Sequence, residues 1–508
     1  MEQKTKIILI SLVLLLAFWL RFYRLNETVL FLGDQGRDLL LIRESLLAGK
    51  IPLVSQPTSQ GINAGPAYFY LIIPSLILSK FQPIGPIWFF TALGVVTTFL
   101  LFKLGEKLFG LIPAFLTALI YTSSPLEIQR TRGFWNPILL PFFSLFILLA
   151  LYQVQEKKKL YWFPLLGFLV GVAVQPHPSA FFLLLPILGW WLFFFFKKNN
   201  QKTRLTVIKW SVIGSLCFLL PLLPYCLFQF QNDFIDFKKT VLIFFEIFLV
   251  KGQSALNWSL LPHKFLQLFA DQFQVLTFSN SILINSLLGL SLITSACLFS
   301  KKDQVFWPIF LTGWFIGGLI FLTLYPWGAF AHYASFLWLL PFFFLGFFLK
   351  KLTPFFSTKI LVFLTVGFVL LAVSHHLLNL NPTWDLIQTE KTAQVINQKT
   401  QGQSFSLLLD SPRSPSDAHF RYFLTLEKAS LKKLDDPEVK LLVFICDHQA
   451  CVNPENIKEK TFVDTECLPE CTTLDQQKKI SLKEWHLIES ETVFRQKLYF
   501  FQKNHQQT

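Results

Sequence analysis

Arg21-Phe-Tyr-Arg24-Leu-Asn-Glu27-Thr-Val-Leu-Phe-Leu-Gly33-Asp34-Gln-Gly36-Arg37-Asp38 follows directly on an apolar run that ends at Leu20. The run reads as a membrane helix, and the segment after it crowds acidic and basic side chains against that helix's end. Charge beside a bilayer is costly unless it reaches water, a partner or a task. Asp34 and Asp38 stand four residues apart and share one face if the stretch is helical. Two readings of Asp34 follow. It is a general base that takes a proton from a hydroxyl or amine, or it is the N-cap of a helix that runs on into Leu39-Leu40-Leu41. Spacing alone leaves both open.

Composition settles the class. The chain has 508 residues, 53% of them hydrophobic and 15% charged, with 59 phenylalanines. Soluble domains carry about 25% charged residues. The first twenty residues carry Lys4 and Lys6 and then run apolar into Trp19 and Arg21, without the small-residue cleavage site of a signal peptide, so they read as a retained first helix. The net charge of +14 does not indicate nucleic acid, because the basic residues sit in short clusters between apolar segments. That is the distribution of cytoplasmic loops.

Apolar runs place membrane helices over 7–22, 85–102, 111–123, 138–152, 161–174, 180–196, 208–229, 281–299, 305–324, 334–349 and 360–377. With the N-terminus cytoplasmic, the inner loops hold Lys103, Lys107, Lys157 to Lys159, Lys197, Lys198, Lys202, Arg204, Lys209, Lys301, Lys302, Lys350, Lys351 and Lys359. The short outer loops 175–178 and 325–331 hold no Lys or Arg, as the positive-inside rule requires. The loop 126–137, with Arg130 and Arg132, is the exception. The apolar stretch 66–78 contains Pro74 and is read as an interfacial helix, since counting it as a span would put every later lysine cluster outside. Residues 1–379 thus form the membrane domain, with long outer loops at 23–84 and 230–280.

From about residue 380 the chain turns polar. The runs 405–409 and 441–445 read as buried strands, and 420–428 and 482–488 as helices of a small extracytoplasmic α/β domain spanning 380–508. Cys446, Cys451, Cys467 and Cys471 cluster there. Outside the cell they are disulfide candidates, with pairing open. A zinc site is the rival, though the spacings are wider than Cys-x2-Cys.

Other chemistry-bearing residues lie on the same expected face. Arg130 and Arg132 in Arg130-Thr-Arg132-Gly-Phe-Trp135-Asn136-Pro137 defy the charge rule, and arginine forks suit a phosphate; the bland readings are anionic headgroups or a salt bridge to Glu127. His177, held in Gln175-Pro176-His177-Pro178, and His332, in His332-Tyr333, sit on outer turns as donors to a phosphate or sugar, or as turn caps. Tyr68, Tyr70 and Trp135 belong to an aromatic belt from which one or two could stack on a sugar. Phosphate-loop, dinucleotide, zinc-protease and nucleophile-elbow motifs are absent. The spans are largely free of mid-depth charge, which argues against an ion-coupled transporter.

Taken in chain order, one apolar helix, a long loop opening with an acidic pair, Gly65-Pro66-Ala-Tyr68-Phe-Tyr70, a helix ending Lys107-Leu-Phe-Gly110, Arg132-Gly-Phe-Trp135-Asn136-Pro137 and Gln175-Pro176-His177-Pro178 resemble the GT-C membrane glycosyltransferases. The resemblance is to the bacterial branch related to protein O-mannosyltransferases and lipid A aminoarabinose transferases. It implies an α-helical polytopic membrane fold of about 11 spans with a small C-terminal α/β domain, in the plasma membrane. It implies inverting transfer of a sugar from a polyprenyl-phosphate donor to a protein, lipid or polysaccharide acceptor, with no nucleic acid involved. Asp34 takes the family's base position, with Asp38 beside it. Arg130 or Arg132 would receive the leaving phosphate, helped by Lys251, His177 and His332, while Tyr68, Tyr70, Trp135 and Asn136 would line the substrate. Related enzymes often carry an acid in the second outer loop where this chain has Asn136, which leaves a divalent metal cofactor open. The rivals are an oligosaccharide ligase or polymerase using a lipid-diphosphate donor, and a transporter or flippase with an extracellular domain.

Overall fold

The computed structural model describes the chain apart from residues 1, 59–60, 198–199, 246–257, 299–304, 326–329, 415, 435, 448–458, 464–476, 482–483 and 505–508. Two units are distinguished by their internal contacts: a membrane unit of residues 1–23, 65–70 and 86–380, and a second unit of residues 24–64, 71–85 and 381–508. The sequence placed the change of character near residue 380. The first loop, however, groups with the C-terminal residues, because its own helix has too little apolar surface to bury alone and packs on theirs.

Among the described residues of the membrane unit, seven helices are long and apolar enough to cross a bilayer, or up to nine if each of two bent pairs is one span. The long ones include Gln3–Phe22, Ile84–Phe109 and Asn136–Gln155. The expected spans over 111–123 and 161–174 are present as the shorter helices Leu111–Ser123 and Leu160–Ala173. Leu111–Ser123 is short because it is interior: every residue from Pro113 to Ser123 is buried. Val13, Phe102, Phe115, Leu116, Leu349 and Leu361 form a cluster around it, drawn from five helices. Lipid is as apolar as leucine, so such packing rests on close contact rather than on exclusion of water.

One close helix contact uses glycine. A Cβ on Gly167 would lie 1.9 Å from the carbonyl oxygen of Gly214, and one on Gly171 would lie 2.2 Å from that of Phe218. Phe163–Ala173 and Gln201–Leu219 therefore touch backbone to backbone, as small residues permit. The span Gln201–Gln231 continues through a 3-10 turn at Leu220–Leu222, where Pro221 removes a backbone donor.

In the second unit, β1 (Phe405–Asp410), β2 (Leu441–Cys446), β5 (Trp485–Val493) and β6 (Gln496–Lys503) form one sheet in the order β1-β2-β6-β5. β3 (Glu459–Val463) and β4 (Gln477–Ser481) form a separate hairpin. β1 and β2 are parallel and nearly continuous in apolar residues, as strands covered on both faces are. Parallel strands require a crossover, and the helix Ala418–Leu426 lies in that connection, close to where the sequence placed it. Of the helix expected over 482–488, residues 482–483 lie outside the described residues and Trp485 to Ile488 belong to strand β5, which pairs with β6 through a two-residue turn at Phe494-Arg495. A short apolar run fits either period, and here the partner strand Leu498 to Phe501 decides it. Cys446 is disulfide-bonded; Cys451, Cys467 and Cys471 lie outside the described residues.

The backbone contact at Gly167 makes one prediction. Gly167→Leu should force the two helices apart and lower the melting temperature in detergent, by a few kelvin or more for an overpacking cost of about 1–3 kcal/mol. Gly189→Leu, where a Cβ meets nothing within 4 Å, should melt like wild type. Equal melting of the two variants would contradict the packing.

Candidate active site

The acidic pair lies on the helix Gly33–Leu47 of the second unit. The helix begins at Gly33, and the residue before it, Leu32, has no side-chain acceptor to offer. The backbone N–H of Leu32 donates to Gln35 Oε1 at 3.0 Å. Asp34 is therefore inside the first turn and is not the N-cap, so the capping reading of this residue falls. Its side chain keeps 55% of its surface exposed and pairs with Arg37, Nη1 to Oδ1 at 3.0 Å. An anion in the first turn of a helix is favoured by the helix dipole. Asp38 differs: it is 1% exposed and accepts from Arg37 Nη2 at 2.8 Å and Nε at 3.0 Å. Arg37 thus bridges the two acids. Asp38 anchors the arginine, and Asp34 presents its carboxylate to the surface.

The arginines and histidines belong to the membrane unit. Glu127 and Arg130 pair at 2.5 Å, and the Arg130 guanidinium lies 4.0 Å from the centre of the Trp338 ring. Burial raises the Glu127 pKa, and Arg130 opposes that rise. The salt bridge that the sequence offered as the bland reading of Arg130 is real. Arg132 is less occupied: Nη2 donates to the Tyr23 carbonyl, while Nε and Nη1 are buried without a hydrogen-bond partner among the described residues. Burial, and then the nearby Arg21, hold its pKa down to about 10. Arg21 is itself fully buried and donates from Nε to Thr131 Oγ1 at 3.0 Å. Arg21 looked like the flank of a membrane helix, and no sequence signal marked it as a neighbour of Arg132.

Three turns of the membrane unit meet in a second cluster. The His332 ring centre is 4.5 Å from that of Trp135 and 5.5 Å from that of His177, and His177 is 4.8 Å from Tyr333. Asn136 Nδ2 donates to the Pro176 carbonyl at 2.6 Å, which ties the Trp135 turn to the His177 turn. His177 Nδ1 accepts from the Ser179 backbone N–H at 3.2 Å and lies 2.9 Å from its hydroxyl. That arrangement leaves the proton of neutral His177 on Nε2. Burial, and then His332, push the His177 pKa down to about 3. Trp135, Asn136, His177 and His332 were singled out separately in the sequence, and the fold brings them together.

Tyr68 is fully buried and meets the Phe90 ring at 5.8 Å. Phe90 in turn packs on Phe134, beside Trp135. Tyr70 is half-buried. Gln175 anchors this segment, with Oε1 accepting from the Ala67 N–H at 3.2 Å and Nε2 donating to the carbonyls of Gly171 and Pro221. Lys251 lies outside the described residues. Among the described residues no group of three or more His, Cys, Asp or Glu side chains could hold a metal ion.

Comparison with known proteins gives these residues a context. Residues 63–228 match the family model described as dolichyl-phosphate-mannose-protein mannosyltransferase. A comparison with curated protein sequences finds no match. Among solved structures, ArnT from Cupriavidus metallidurans bound to undecaprenyl phosphate is similar at a TM-score of 0.54 and 12% identity, covering 97% of each chain. The apo state of the same protein gives 0.54 and 11% over 98% of each. The Archaeoglobus fulgidus oligosaccharyltransferase in complex with Zn and sulfate gives 0.50 and 13%, covering 86% of this chain and 67% of that one. The family match covers residues 63–228, about a third of the chain, and the likeness to the ArnT structures over nearly its whole length, at 11–12% identity, is one of fold.

Proposed function

We propose that this protein is an inverting glycosyltransferase that moves a sugar from a polyprenyl-phosphate donor to a hydroxyl or amine acceptor at the outer face of the membrane. The observation that carries the reading is the state of Asp34. Its carboxylate is neither buried nor used to cap its helix, and Arg37 holds it by one oxygen. The mannosyltransferase match over residues 63–228 supports the reaction class, and the undecaprenyl phosphate in the ArnT structure supports the donor class.

In the proposed reaction Asp34 takes the acceptor proton. The acceptor oxygen or nitrogen bonds to the anomeric carbon, the bond from that carbon to the phosphate oxygen breaks, and polyprenyl phosphate leaves with the electron pair. General-base help of this kind is worth about 10²–10⁴-fold. The leaving phosphate gains negative charge and needs cations that are not already neutralised. Arg132 is better suited than Arg130, because Arg130 is committed to Glu127 and Trp338. Neutral His177 offers Nε2–H as a donor to the sugar or phosphate, with Trp135 and His332 as flat neighbours. The acceptor hydroxyl or amine sits on protein, lipid or polysaccharide. The outer placement rests on the positive-inside count, with the N-terminus cytoplasmic and residues 381–508 outside.

Three predictions follow from this reading. Asp34→Asn should cut transfer at least 10²-fold with unchanged melting temperature and donor binding, and full activity in that variant would remove Asp34 as the base. In intact cells, a membrane-impermeant amine reagent should label lysines of the C-terminal domain, whereas labelling only in inverted vesicles would reverse the topology. The third concerns pH. His177 has a folded pKa of about 3, below its ordinary 6.5, so the unfolded chain takes up its proton first as pH falls. Stability is then full above pH 6.5 and declines as the solution is acidified towards 3. His177→Asn should flatten the fall in melting temperature between pH 6.5 and pH 4, and an unchanged slope would show that His177 does not drive it.

A further inference from the structure

The helix that carries Asp34 begins with a Gly33 N–H that its own first turn does not cap. The first N–H groups of a helix have no intrahelical partner, and Leu32 cannot supply one. The Gly33 N–H donates instead to Ser414 Oγ at 3.1 Å, from a residue 381 positions away. The Ser414 hydroxyl donates to the Ser416 carbonyl at 2.7 Å, so its proton is occupied and its lone pairs face Gly33. One turn further on, a Cβ on Gly36 would lie 2.2 Å from the backbone nitrogen of His419 and 2.3 Å from its Cα. Backbone cannot yield as a side-chain tip can, so glycine is required there. A Cβ on Gly33 would meet Ser416 Cβ at 2.6 Å and Ser414 Oγ at 2.7 Å. The two glycines bracket Asp34.

The surrounding contacts hold the same geometry. Phe31 meets Phe423 edge-on at 5.7 Å, and the Tyr422 hydroxyl donates to the Phe81 carbonyl at 2.5 Å. The Trp384 N–H donates to the Glu27 carbonyl at 2.8 Å. His419 is 4% exposed, and its ring lies 4.2 Å from that of Phe420.

We propose that the C-terminal domain sets the catalytic carboxylate, with Ser414 and the backbone at His419 as positioning elements that cap and clamp the first turn of the Asp34 helix. Aspartate is among the best capping residues. With the cap supplied by Ser414, the Asp34 carboxylate is left for proton transfer. Without it, Asp34 would turn onto the vacated Gly33 N–H, where that hydrogen bond favours the ionised form and weakens it as a base. The inference rests on the reading of Asp34 as the base.

The test uses the full-length protein in detergent, with undecaprenyl-phosphate monosaccharides as donor probes. Ser414→Ala should lower kcat about tenfold with the donor KM within about twofold, and should move the acid limb of the kcat–pH profile to lower pH. Ser414→Thr, which keeps the hydroxyl, should restore both. Amide hydrogen exchange over residues 33–37 should rise in Ser414→Ala and in Gly36→Ala, a readout that does not depend on turnover. A loss of melting temperature with kcat and profile unchanged would reduce Ser414 to a structural residue and overturn the proposal. Unchanged exchange and unchanged kcat in both variants, beside an inactive Asp34→Asn, would sink the clamp while leaving the base in place. A fully active Asp34→Asn would sink the base reading and the clamp with it.

Discussion

The approach of Gly36 to the backbone of His419 is the constraint on which the second unit of this protein turns. At a Cβ distance of 2.2 Å no other residue fits, and the contact fixes where the Asp34 helix lies on the helix Ala418–Leu426. It also explains why residues 24–64 group with residues 381–508 in spite of the long membrane sequence between them. A loop of this length would otherwise wander. Burying Phe31, Leu39 and Ile42 against the C-terminal domain gives it a fixed conformation, and each such side chain contributes about 1.5–3 kcal/mol.

The membrane unit solves a different problem. Its long helices are greasy and packed through glycine and phenylalanine, yet one short stretch concentrates Glu127, Arg130, Thr131 and Arg132 beside a buried Arg21. Breaking a buried ion pair costs roughly 3–5 kcal/mol, so Glu127 and Arg130 stabilise each other and are unsuited to exchange partners during a reaction. Arg132 and Arg21 carry the cost of like charges held close. An anionic ligand would relieve that cost, and the proposed donor supplies one. Arg130 and Glu127 stiffen the turn, and in the proposed reaction Arg132 is the arginine left to meet the phosphate.

Much of this was legible from residue order. Unbroken apolar runs are long signals, and the helices expected over 7–22, 85–102 and 360–377 reappear as Gln3–Phe22, Ile84–Phe109 and Thr358–Leu378. Asp34, the paired arginines, and the turns bearing Trp135, His177 and His332 were visible as chemistry out of place in an apolar chain. What the sequence could not convey were contacts between distant residues. The Ser414 cap reaches across 381 positions, and Trp338 covers Arg130 from a helix turn with no motif of its own. A spacing of four puts Asp34 and Asp38 on one face, and only packing shows that one carboxylate is exposed and the other 1% exposed. Tyr68 looked like part of an aromatic belt and is core. Strand β5 was misread because its partner, and not its own short pattern, determines its conformation.

The account's central claim is a single displacement at the anomeric carbon, driven by a carboxylate that activates the acceptor and never bonds to the sugar. The most direct measurement is the anomeric configuration of the product formed by purified protein from a polyprenyl-phosphate sugar of known configuration, read by NMR. The account predicts inversion. Retention would require a covalent sugar–enzyme intermediate or a second displacement, and would contradict the role given to Asp34.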